Sequence, residues 1–185
     1  MVVLYCATKA LKISLMPTGL SNSFQEFPHG GYIAHRYDFS IDKDRFVMLF
    51  AEIDTADRNY LTFRSEEAGF NIPPGCYDIK FDRLENFEQG TYYQPPGKGQ
   101  SSPRFTFASE LAEALKTIIA LHHDIYQARA YMAMAETEKL RRFYDRILQQ
   151  SSHQVVYEVS TGLGDGGMGY VFKTKYFNDQ ADDRR

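Results

Sequence analysis

The spacing of apolar residues divides this chain into three stretches of different period. Up to Thr106 the apolar positions alternate singly or form short runs, the period of two that strands require. From Tyr32 to Ile41, the residues Ile33, His35, Tyr37, Phe39 and Ile41 share one side, and Arg45–Ile53 is apolar on both sides, as in a central strand covered by two layers. Val2–Cys6, Lys12–Met16, Tyr60–Arg64 and Cys76–Phe81 read as further strands. Leu20–Gly31 and the Gly- and Pro-rich stretch Gly90–Pro103 read as loops.

Between Pro103 and Gly162 there is no glycine or proline, and the apolar positions take up a helical phase. At 100° per residue from Leu111, the residues Leu115, Ile118, Ile125, Tyr126, Met132, Leu140, Phe143, Tyr144 and Ile147 fall within roughly 60° of it. A straight helix over 107–150 would be roughly 66 Å long, whereas a domain of this size is about 40 Å across. The helix therefore breaks or overhangs. Asp124-Ile125-Tyr126-Gln127 has the form of a capping box and is the first candidate for a break, with Thr137 the second; Ser109 is the expected N-cap. From Val155 the period returns to two: Val155–Ser160 and Tyr170–Phe177 flank a glycine-rich turn, and 178–185 reads as a polar tail.

The predicted architecture is α+β in a single domain over 1–177: a strand-rich part (1–106), a helical part (107–150) and a Gly-rich hairpin (151–177). A mostly antiparallel sheet is packed by a long or once-broken amphipathic helix, with the hairpin at the C-terminal end. At 185 residues, 43% hydrophobic and 24% charged, with a net charge of −3, the chain has the composition of a globular protein, and the charge offers no bulk attraction to nucleic acid. Two cysteines, Cys6 and Cys76, do not make a disulfide framework, and no window approaches the roughly 18 apolar residues of a membrane span. A cytoplasmic protein is expected, with no membrane partner.

Three groups of residues carry candidate chemistry. His122, Arg129 and Glu136 lie seven apart on the apolar face of the helical stretch, where leucines would serve packing, and are expected to form a ligand pocket or a subunit interface because buried charge needs a partner. Asp78-Ile79-Lys80 places a carboxylate and an ammonium on one side of a strand; with Asp54 or Glu52 as second carboxylate it is the pattern of a magnesium-dependent phosphoesterase or nuclease. Gly164, Gly166 and Gly169, in Gly-Asp-Gly-Gly-Met-Gly-Tyr-Val, could hold an anion on backbone amides.

That last segment resembles the glycine-rich loop of protein kinases over about ten residues. A kinase would next need a strand lysine, a catalytic loop and Asp-Phe-Gly, and with 14 residues after Val171 in this sequence a kinase is not expected. With no metal-ligand spacing among the histidines and no nucleophile paired with a base, the expected function is a non-enzymatic bacterial or phage regulatory protein. It would act by protein–protein binding, as a homodimer through the overhanging helix, without a cofactor. Two alternatives stand beside it: the magnesium-dependent enzyme using Asp54, Asp78 and Lys80, and a nucleotide or anion sensor built from the glycine hairpin and Arg129.

Overall fold

A computed structural model describes residues 23–29, 32–97, 105–149 and 155–177. The strands expected at Val2–Cys6 and Lys12–Met16 and the polar tail lie outside the described residues.

Seven strands form one sheet: β1 (Gln25–His29), β2 (Tyr32–Ile41), β3 (Asp44–Glu52), β4 (Cys76–Arg83), β5 (Ala130–Met134), β6 (Val156–Leu163) and β7 (Gly169–Thr174). Their order across the sheet is β1-β2-β3-β4-β5-β7-β6, and every neighbouring pair is antiparallel except β4–β5. Four helices complete the fold: α1 (Arg58–Ala68), α2 (Leu84–Gln89), α3 (Phe107–Tyr126) and α4 (Glu138–Gln149). The expected α+β architecture, mostly antiparallel and closed by the β6–β7 hairpin, is what the chain adopts.

Alternation along the strands builds two cores. Tyr37, Phe39, Ile41, Phe46, Met48, Phe50, Tyr77, Ile79 and Tyr131 face one way and are buried under Leu111, Leu115 and Ile118 of α3, with Leu140, Phe143, Tyr144 and Ile147 of α4 packed beside them. Ile53, Cys76, Ala130, Met132 and Val171 face the other way, against Ala68, Tyr60 and Leu61 of α1. The two helical layers explain why β3 and β5 are apolar on both sides.

Several expectations are corrected. Tyr60–Arg64 is not a strand but part of α1: the Asp57 carboxylate accepts from the amides of Asn59 and Tyr60, and Gly69, at φ 76°, ends the helix. Part of the expected Leu20–Gly31 loop is strand β1, where Pro28 is tolerated because, among the described residues, β1 is paired on one side only. The helical stretch 107–150 is two helices with a strand between them. α3 runs through Asp124 and stops at Gln127, which takes a left-handed conformation (φ 51°), and Ala130–Met134 is β5. Thr137, the second candidate, is where a helix begins, its hydroxyl accepting from the amide of Leu140 at 3.1 Å. Ser109 lies inside the first turn of α3 and donates to the carbonyl of Thr106 at 2.7 Å instead of capping. The 66 Å rod that motivated a homodimer is replaced by helices of about 30 and 18 Å, both laid on the sheet.

Candidate functional site

The one parallel pair sits near the middle of the sheet and does not stay paired. β4 and β5 match at Cys76–Ala130, Tyr77–Tyr131 and Asp78–Met132 and then separate. Beyond that point β4 remains in register with β3 as far as Arg83, and β5 with β7 as far as Met134. The sheet therefore splits into a V, in which the inner edges of both strands carry peptide groups with no strand partner among the described residues. Buried peptide groups need partners, so a split of this kind is suited to an extended ligand that pairs with both edges. It also lies at the carboxyl ends of parallel strands, where open sheets place their ligand crevices.

Two helices wall the V on one face. α3 connects β4 to β5 and runs antiparallel to both. Its Phe107 ring lies tilted 6.2 Å from that of Phe46, opposite the end of β4, while its His122 lies near Tyr131 at the start of β5. The N-terminus of α3 thus points to the mouth of the V and has no side-chain cap hydrogen bond from Thr106. α4 forms the other wall: Phe143 and Tyr144 pack on Phe81 of β4 at 6.1 and 6.2 Å, and Tyr144 packs edge-on against Tyr170 of β7 at 5.3 Å. The Tyr170 hydroxyl donates to Asp145 at 2.7 Å and fixes the roll of α4 about its axis.

At the mouth, Lys80 of β4 reaches Glu136, just after β5, at 3.7 Å. Two residues that sequence reasoning assigned to separate sites are thereby joined across the split. Tyr93 stands beside them, its backbone at φ 60° and its amide donating to Asp82 at 2.6 Å. A left-handed conformation at a tyrosine is costly and is held here by the Asp82 carboxylate, which also accepts from Asn86 at 2.8 Å. Burial, and then the Glu136 carboxylate, push the Tyr93 phenol well above the usual tyrosine range. Burial, followed by Tyr93, Tyr170 and Glu136, does the same to Tyr144. Both phenols therefore stay protonated well above neutral pH, and burial makes them weaker acids than an exposed tyrosine.

On the opposite face Asp78 is not a free ligand. Its carboxylate accepts from Arg64, which also binds Glu67, and from Tyr60 at 3.4 Å. Burial raises the Asp78 carboxyl against the pull of Arg64. Asp54 lies three residues beyond Ala51, the register partner of Asp78, and its carboxylate accepts from the amide of Ala56 at 2.8 Å. Among the described residues no group of three or more His, Cys, Asp or Glu is placed to hold a metal ion. Gly164 sits over Glu67 and Met134 on this face, and Gly164 and Gly169 line, with Arg64, a cavity of about 20 Å³. That is room for one water, and its rim carries one cation and one carboxylate, a poor setting for an anion. Replacing Arg64 by methionine leaves Asp78 and Glu67 facing each other without a cation and is expected to cost about 2 kcal/mol of stability in urea denaturation, intermediate between exposed and buried pairs.

The remaining candidates are dispersed. Arg129 is at the far, amino end of β5, where its amide donates to Gly75 at 2.8 Å, so it cannot share a ligand with the glycine hairpin. His122 is fully buried in the α3-side core, with the Tyr131 hydroxyl 3.0 Å from its Nδ1 and His35 Nδ1 2.8 Å from its Nε2. His122, Arg129 and Glu136 therefore occupy three separate places: helix α3, the loop before β5 and the loop after it. Arg64, Tyr93, Tyr144 and the partners of His122 were not singled out from the sequence. For Tyr93 the Asp-Arg-Leu-Glu-Asn run ahead of it, rich in side chains that bond to backbone, was the available signal.

No family model, curated protein or solved structure matches the chain.

Proposed function

We propose that the protein transfers an acyl group from a coenzyme A-type thioester to an amine. The observation that carries this reading is the split between β4 and β5 under α3 and α4. A thin, extended arm with amide groups is the ligand best suited to two unpaired strand edges. A phosphorylated head is suited to the N-terminus of α3. One class of group carrier combines the two, an amide-containing arm ending in a thioester on a nucleotide pyrophosphate.

The residues around the mouth supply the proton chemistry. The amine nitrogen adds to the thioester carbonyl, the carbon–sulfur bond breaks, and the departing sulfur takes the phenolic proton of Tyr144. The ammonium so formed gives its proton to Glu136; Glu136 releases that proton to solvent, and solvent restores the phenol. Lys80 holds Glu136 at the mouth. No metal is needed for any step.

Titration calorimetry and thermal denaturation with acetyl-coenzyme A test the reading. Binding is expected, with a higher melting temperature by mass action, about 2.7 kcal/mol at a hundredfold excess over Kd. Thiol release in the presence of small primary amines is expected to accompany it. Absence of both binding and thiol release would remove the reading and leave the non-enzymatic, protein-binding function expected from the sequence. Magnesium-dependent cleavage of nucleic acid, lost in Asp78→Ala, would instead favour the phosphoesterase.

A further inference from the structure

The glycine hairpin closes the cavity on the α1 face. A side chain at Gly169 would stand 2.7 Å from the carbonyl oxygen of Leu163 and 3.2 Å from its Cβ, so only glycine lets the end of β6 come this close to β7. Gly164, at φ 67°, then carries the chain over β5, where the terminal methyl of Met134 lies 3.7 Å from the place a Cβ would take. The hairpin thereby brings Leu163 and Met134 together over a space of about 20 Å³, whose walls include Met132, Val171 and the Arg64–Glu67 ion pair of α1.

This space begins where the strands part. Arg64 donates to Asp78 of β4, and Asp78 is matched to Met132 in the last β4–β5 pair; Met134, on the same side of β5, lies beyond it. Lys80, two residues past Asp78 on that side of β4, pairs with Glu136. The cavity and the carboxylate that accepts the amine's proton are thus on one face of the split, and Tyr144, which protonates the sulfur, is on the other. A thioester whose carbonyl carbon lies between them directs its acyl chain to the α1 face. Met132, Met134, Leu163 and Val171 are apolar and the charges of Arg64 and Glu67 are paired, so an alkyl group gains from burial there and an ion does not.

We propose that this cavity receives the acyl group of the thioester and that Met134 and Leu163 limit it to a short chain, acetyl before longer groups. The proposal rests on the acyl-carrier reading of the split and assigns its acyl specificity. A space of this volume holds one water-sized group, which a methyl fills. Each further methylene must displace Met134 or Leu163, and a hydrophobic pocket discriminates by about 10- to 200-fold per methylene.

Thiol release by the full chain with acetyl-, butyryl- and hexanoyl-coenzyme A, against one small primary amine, tests it. The wild type is expected to show a kcat/KM for acetyl at least about tenfold above that for butyryl. Met134→Ala opens the wall beside Gly164 and is expected to bring butyryl level with acetyl or ahead of it, and Leu163→Ala, from β6, is expected to do the same. Both variants are expected to keep the wild-type affinity for coenzyme A itself, read by calorimetry, because that ligand carries no acyl chain. Circular dichroism shows which variants are folded, and Leu163→Ala carries the comparison if Met134→Ala is not. A wild type indifferent to chain length, or folded variants whose length profile is unchanged, overturns the pocket and leaves the acyl-carrier reading in place. So does a change confined to selectivity among amines, which would make the cavity the acceptor's. If none of the thioesters binds or releases thiol, the acyl-carrier reading falls and the pocket with it.

Discussion

Replacing Tyr144 by phenylalanine is expected to lower kcat for acyl transfer about a hundredfold and to leave KM for the thioester within a factor of about two, the pattern of a group that acts only as the bond breaks. The ring is held by packing, against Tyr170 at 5.3 Å and Phe81 at 6.2 Å, and phenylalanine preserves those contacts. What is lost is the hydroxyl, the one group of this side chain that can pass a proton. Tyr93 provides the comparison. Its phenol is also raised, but the residue sits on the loop bound to Asp82, facing Glu136, and not on the α4 wall. Tyr93→Phe is expected to change kcat less than about tenfold. Stopped-time assays of thiol release with both variants decide the matter. A Tyr144→Phe enzyme as active as wild type, or a larger loss in Tyr93→Phe, would move the proton donor elsewhere.

How much of this was legible in the sequence depends on how each element is stabilised. β2 and β3 could be read because their alternation answers to one sheet with covered faces, and the hairpin because glycines separate two alternating runs. α1 could not be read from periodicity, because Tyr60, Leu61 and Phe63 do not form a helical stripe and Phe63 is more than half exposed (56%). Its evidence lay in its ends, Asp57 and Gly69. β5 was hidden for the opposite reason. Ala130, Tyr131, Met132 and Ala133 are all buried, so no period survives, and alanine and methionine favour helix. Only the tertiary setting, between β4 and β7 under two layers, makes the segment a strand. The helix on each side happened to keep a compatible phase, which made a broken element look continuous.

The site was less legible than the fold for a related reason. It is made by a split between two strands far apart in sequence, Asp78 and Met132 of the last matched pair being 54 residues apart and Arg83 and Ala130 47. Lys80 and Glu136 were each noticed, yet nothing local indicated that they meet. His122 was noticed for the right reason, a polar residue on a buried face, but its partners His35 and Tyr131 come from β2 and β5 and close the network inside the core. Buried polar residues mark places where the fold needs a partner; whether a ligand or another side chain supplies it is decided by distant parts of the chain.

That core network sets the response to acid. His122 stacks on Phe50 at 3.9 Å and is surrounded by Tyr77, Tyr126 and Phe24, and burial, followed by His35 and His123, lowers its pKa to about 2. In the unfolded chain the imidazole titrates near 6.5. Below that value the unfolded state takes up a proton that the folded state refuses, so this contribution to stability is complete above about pH 6.5 and falls by about 1.4 kcal/mol per unit as the pH drops toward about 2. At about pH 4.5 the loss through His122 alone is roughly 2.7 kcal/mol, a large share of the stability of an ordinary domain. His35, which burial also lowers while Glu26 and Glu52 pull it upward, acts in the same direction. Asp78, whose carboxyl is raised, acts in the opposite one: its protonation favours the folded state as the pH falls. Urea denaturation across this range is therefore expected to show stability falling with acid, and His122→Asn, which cannot take up the proton, is expected to flatten the slope by about one proton even though it is less stable at neutral pH. An unchanged slope in that variant would mean that the imidazole is already charged, or already solvated, in the folded protein.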